Sequence, residues 1–219
     1  MRTGRDARGR ARVWYDFDEI EQLAAATLRA AGRYPAPAAG PIPIDEVLES
    51  HLGASVDYGG DLAASVLGYT EFRTPPRVVI SRSLTDLATA AGAPLGIRGR
   101  WRATLAHETA HVVLHASLFS ERSSGRDAVR CERDAIEVDG RAADWVEVQA
   151  NMGMAALLMP RAAFVAEARR LLEAEGPAFP PLSPSSARAA ALAARLAETF
   201  EASLQASTIR LRTFGFVEV

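Results

Sequence analysis

The sequence predicts an α+β fold in which a small three-stranded sheet sits among helices and a short helical segment closes the chain. Three observations carry this reading: apolar residues recur at helical spacing through much of the chain, three β-like runs lie close together between residues 54 and 81, and a Pro-rich stretch at 176–184 sets off the last two helices. With 219 residues, 48% hydrophobic and 24% charged, the composition is globular and excludes disordered, collagenous and disulfide-scaffold classes. Twenty-five basic residues against 27 acidic ones leave a net charge of -2, so any contact with nucleic acid or an anionic membrane must be local. Every basic residue is Arg, which removes Lys from the candidate catalysts.

The elements follow in order. Residues 1–15 form a basic arm with Arg2, Arg5, Arg8, Arg10 and Arg12 but no apolar run behind them, which reads as a flexible, solvated terminus and not a secretory signal. Asp16 to Ala31 places Ile20, Leu23, Ala24 and Leu28 on one helical face, with Asp16 and Asp18 suited to the start. Four prolines between Tyr34 and Pro43 make a connector, and Ile44 to Leu52 is a short helix. Ala54–Tyr58, Val66–Phe72 and Arg77–Ser81 read as strands of a small meander, broken by Gly59-Gly60 and Pro75-Pro76. A Gly- and Pro-containing loop, Ala91 to Gly99, leads into an apolar helix from Trp101 to Leu118. Ser120 to Asp144 is a polar surface excursion, Ala142 to Leu158 a second strong helix, and Pro160 opens a third that runs to Gly176. The main domain is therefore expected over 16–178. The segment 183–219 holds two short helices, Ser186–Thr199 and Ser203–Thr213, with Ser203 a natural N-cap. No apolar run is long enough to span a bilayer, and the lone Cys131 can form no internal disulfide, so a cytoplasmic protein is expected.

The apolar helix contains His107-Glu108-Thr109-Ala110-His111. Residues four apart lie about 40° apart around a helix and about one turn along it, so both imidazoles project to one side and can share a metal ion. Glu108, offset by about 100°, is poorly placed as a ligand but well placed to hold a water that the metal polarises. Four histidines in 219 residues make the pattern improbable by chance, with roughly 0.005 matches expected. Two histidines leave a catalytic site one protein ligand short. Glu147 and Asn151 share a face of the second strong helix; Glu147 can be that ligand or an ordinary solvent-facing Glu, and Asn151 could accept the free ring N–H of a metal-bound histidine. His115, about 12 Å along the axis from His107, is too far to join the same ion and reads as a neighbour of the site or a helix-end residue. His51 and Cys131 read as structural, Cys131 as a free thiol.

The strings Thr104–His115 (TLAHETAHVVLH) and Trp145–Pro160 (WVEVQANMGMAALLMP) resemble the ImmA/IrrE family of metallo-endopeptidases. The resemblance implies a minimal zincin-like peptidase domain with His107, His111 and Glu147 as metal ligands and Glu108 as general base. It also implies a single divalent ion, with zinc expected and manganese the alternative, and a helix-turn-helix transcriptional repressor as the protein substrate, whose cleavage derepresses stress-response or mobile-element genes. Gln149 stands where members often have Glu, Gly153 where a Phe-like residue is frequent, and the 120–144 excursion is long for the family. Pro43–Ser81 fits the family layout only loosely. Leu192–Gly215 resembles the family's helix-turn-helix tail, in which Gln205, Ser207, Thr208, Arg210 and Arg212 would face DNA in a recognition helix. A strand edge within Val66–Phe72 could receive the substrate chain by β-augmentation. The alternative is a non-enzymatic transcriptional regulator or toxin–antitoxin component with a structural metal, binding DNA or a partner through the C-terminal helices.

Overall fold

The structure, a computed structural model, describes residues 2–5, 11–34, 39–120, 130–134, 145–176 and 181–218. The elements run β1 (Arg2–Arg5), β2 (Ala11–Trp14), α1 (Phe17–Ala30), α2 (Ile44–Glu46), a π turn (Val47–His51), β3 (Ser55–Gly60), β4 (Val66–Glu71), β5 (Arg77–Ser81), α3 (Arg82–Thr89), α4 (Leu95–Ser120), β6 (Arg130–Asp134), α5 (Trp145–Leu158), α6 (Arg161–Ala174), α7 (Ala187–Phe200) and α8 (Leu204–Thr213). The fold is α+β as expected.

The N-terminal stretch read as a solvated arm pairs with itself. β1 and β2 are antiparallel, from Arg2 opposite Trp14 to Arg5 opposite Ala11. Val13 and Tyr15 are buried, and the Tyr15 hydroxyl donates to the Leu114 carbonyl at 3.2 Å, so the end of the arm is held against α4. The Arg-rich composition concealed these apolar anchors. α1 starts with a full capping box: Asp16 accepts from the Glu19 N–H, and the Glu19 carboxylate accepts from the Asp16 N–H.

The three expected strands form one sheet, but not as a meander. Their order is β3-β5-β4, with β3 parallel to β5 and β4 antiparallel to it, and β6 adds to the far side of β4. The excursion thus contributes a strand, although 121–129 and 135–144 lie outside the described residues, as does the Cys131 side chain. Pairing with β6 also occupies the edge of β4, so Val66–Phe72 is not the open strand that β-augmentation by a substrate needs. α4 begins at Leu95, six residues earlier than expected. Gly99 suits this early turn because a Cβ there would lie 3.1 Å from the Ala202 backbone, where the chain passes between α7 and α8.

The core is continuous from α1 through α8, with Ile20, Leu28, Leu105, Leu157, Phe200 and Leu211 in one cluster. The C-terminal helices therefore pack on the same core as the rest of the chain. Arg210, one of the candidate DNA-facing residues, is buried: its guanidinium pairs with Glu21 of α1 and donates to the Met159 carbonyl at 2.7 and 3.1 Å. Ser207 is buried too, so these two residues do not form a DNA-reading face. Arg210→Ala would leave Glu21 buried, with Arg161 Nε at 3.9 Å as its remaining basic neighbour among the described residues. Breaking a buried pair in this way costs about 3–5 kcal/mol. Urea unfolding should accordingly show one transition moved to lower denaturant; an unmoved midpoint would mean that the tail does not contribute to the common core.

Candidate metal centre

Two helices build the site. α4 carries His107, Glu108 and His111, and α5 carries Glu147, Gln149 and Asn151. They pack closely because α5 has glycine at position 153, where a Cβ would stand 2.8 Å from Ala110 Cβ and 3.1 Å from Leu114 Cδ1. A Phe-like residue would not fit here, which accounts for this departure from the family pattern.

The spacing places the imidazoles together as expected. His107 Nε2 and His111 Nε2 lie 3.1 Å apart, Glu147 Oε2 is 3.0 Å from His107 Nε2, and Glu147 Oε1 is 3.4 Å from His111 Nε2. A four-coordinate ion with bonds of about 2.0–2.2 Å sets its ligand atoms about 3.3–3.6 Å apart. Taking one ligand atom from each residue, the three lie within 4.8 Å of one another, close enough to converge on one ion, and two nitrogens and a carboxylate are ligand types that divalent metals accept. Both histidines are buried, whereas the Glu147 side chain keeps 31% of its surface exposed and marks the open side of the group. Burial raises the Glu147 pKa, but the adjoining His107 and His111 imidazoles outweigh it and hold the carboxyl well below the usual carboxylate range.

Asn151 sits where its spacing from Glu147 places it. Its Oδ1 is 3.1 Å from His107 Nδ1, able to accept that N–H and leave the Nε2 lone pair facing Glu147. Glu108 is fully buried and stands outside the convergent trio; its Oε2 accepts from the Thr70 hydroxyl at 2.7 Å. Thr70 belongs to β4, and sequence reading missed it because only the packing of sheet against α4 brings it there. Gly68 permits that packing: a Cβ at this position would be 3.1 Å from Thr104 Cγ2.

His115 lies beside His111, with 3.1 Å between the two Nδ1 atoms, and so is a neighbour of the site and not a helix-end residue. Its pKa is lowered to about 4, first by burial and then by His111, against the raising effect of the hydrogen bond it donates to Gln149 Oε1. A largely apolar cavity of about 400 Å³ opens beside Asn151, walled by Phe17, Val148, Met152 and Ile209.

Glu108, buried next to His107 in the chain and three residues before His111, beside a His-His-Glu group that could hold a metal ion, is an arrangement suited to metal-assisted hydrolysis, and the family of the chain makes the class that of metal-dependent peptidases. The chain belongs to the family described as Peptidase_M78, IrrE N-terminal-like domain, whose sequence model matches residues 98–212, just over half of the chain and spanning α4 to most of α8. A comparison with curated proteins returned no match. The family implies a bound metal ion and a protein substrate. Among the described residues, no helix is long and apolar enough to cross a membrane.

Proposed function

We propose that the protein is a cytoplasmic metallo-endopeptidase that cleaves a helix-turn-helix transcriptional repressor and so derepresses stress-response or mobile-element genes. The observation that carries the hydrolytic part is the convergence of His107, His111 and Glu147 within bonding reach of one ion, with Glu108 buried beside them. Those three residues would hold the ion, zinc in preference to manganese given two imidazoles and one carboxylate. When bound, the ion supplies Lewis-acid polarisation of the scissile carbonyl and lowers the pKa of water. Glu108 takes a proton from the attacking water and returns it to the leaving amine, while the Thr70 hydroxyl holds the carboxylate in place. Asn151 keeps the His107 proton on Nδ1.

The repressor as substrate rests on the family resemblance, and the cavity beside Asn151 gives an apolar side chain of an extended peptide somewhere to lie. A non-enzymatic regulator with a structural metal is the second reading. It leaves Glu108 without a purpose, since a structural site needs no base beside its ligands. Incubating the purified protein and zinc or manganese with the helix-turn-helix repressor encoded nearest its gene should give one or few cuts in an interdomain linker, with weak digestion of casein. A packed helix cannot enter a peptidase cleft without local unfolding. Scattered cuts in unrelated unfolded proteins would point to a housekeeping protease. An uncut repressor together with retardation of a promoter fragment in a gel would favour the regulator.

A further inference from the structure

We infer that His115 and Gln149 are positioning residues that fix the His111 proton on Nδ1, through a hydrogen-bond chain whose direction is set by the backbone carbonyl of Val13. This rests on His111 being a metal ligand, as proposed above.

The direction follows from the far end. The Val13 carbonyl can only accept, so the Gln149 group 3.2 Å away from it is the donating amide nitrogen. That leaves Gln149 Oε1 facing His115 Nε2 at 3.1 Å, where it can only accept, so His115 carries its proton on Nε2. A fully buried imidazole whose two ring nitrogens meet an amide oxygen and another imidazole is held in its neutral form, so the His115 Nδ1 is bare, and this atom lies 3.1 Å from His111 Nδ1. His111 must then donate from Nδ1, and its Nε2 lone pair is turned on His107 and Glu147. With the opposite tautomer, His111 would aim an N–H at His107 Nε2, 3.1 Å away, and have no lone pair for an ion.

His111, His115 and Gln149 are each 0% exposed, so no solvent water can replace a lost member. The two histidines of the pair are thus oriented differently. His107 relies on Asn151, which is exposed, whereas His111 relies on a buried chain that ends on β2. The same chain gives Gln149 a function: a carboxylate at that position could accept from His115 but could not donate to Val13, and the chain would lose the group that sets its direction.

The test measures zinc affinity by chelator competition on the full-length protein, with circular dichroism of the metal-free form to report folding. His115→Phe should weaken zinc binding about 10–100-fold, the usual loss when an outer partner of a ligand is removed. Gln149→Met should weaken it toward the lower end, about 10-fold. Asn151→Ala should cost less than His115→Phe, because water can take the place of the exposed amide. The double variant His115→Phe/Gln149→Met should bind zinc no more weakly than His115→Phe alone, since both changes cut one chain. Losses that multiply would make the two residues independent and overturn the inference, as would wild-type affinity in Gln149→Met, which settles the matter even where His115→Phe fails to fold. The visible absorption of the cobalt(II)-loaded protein should change in both single variants, reporting a displaced His111. If His111→Ala itself binds zinc as tightly as wild type, the ligand assignment fails, which is a different result from failure of the chain.

Discussion

Glu108→Gln is expected to keep the metal and the fold while losing about 100-fold or more of peptide hydrolysis, the usual contribution of a positioned general base. The carboxylate is buried, accepts from Thr70 through Oε2, and stands outside the trio of convergent donor atoms. A Gln amide oxygen can accept the same Thr70 hydroxyl bond, so the local packing survives. What it cannot do is take a proton. Measuring repressor cleavage and metal content on the same preparation separates the two roles: unchanged cleavage would remove Glu108 from the mechanism, and loss of metal would make it a ligand.

The parts of this site that sequence reading reached are those governed by local geometry. His107 and His111 share a helix face at a separation of four, and Glu147 and Asn151 repeat that relation on a second helix, so each pair was legible before any tertiary structure. The capping residues Asp16 and Ser203 were legible for the same reason, and Ser203 accepts from the Ala206 N–H as its position suggests. Thr70 was not, because nothing in Val66–Phe72 indicates which residue will face α4. Strand order was misread because the turn between β4 and β5 is local, whereas the placement of β3 beside β5 depends on the long-range packing of the sheet. β6 escaped because Arg-Cys-Glu-Arg-Asp has no apolar alternation. Arg210 falls in the DNA-facing set only through the tail's resemblance to a helix-turn-helix; the contrary signal is Glu21, a carboxylate flanked by the buried Ile20 and Ala24 of α1, which needs an internal cation. Gln149 within an apolar helix was a similar sign, and its partners lie on two other elements.

The remaining large effect concerns the ion itself. His107→Ala/His111→Ala should purify without the divalent metal expected in the wild type at up to one ion per chain, because Glu147 alone cannot replace two buried nitrogens. Simple comparison of melting temperatures would mislead here, since both substitutions also strip partners from Asn151 and His115. The informative quantity is the shift that a chelator produces within each protein. Zinc held at about 100 times its Kd stabilises the native state by about 2.7 kcal/mol. For a domain of this size that corresponds to roughly 5–11 °C in Tm, at about 2–4 °C per kcal/mol. Wild-type protein should therefore lose several degrees on chelation, and the double variant should lose none. Metal content that persists undiminished in the double variant, or a chelator shift equal to that of the wild type, would place the ion elsewhere in the molecule and remove the basis for hydrolysis at this centre.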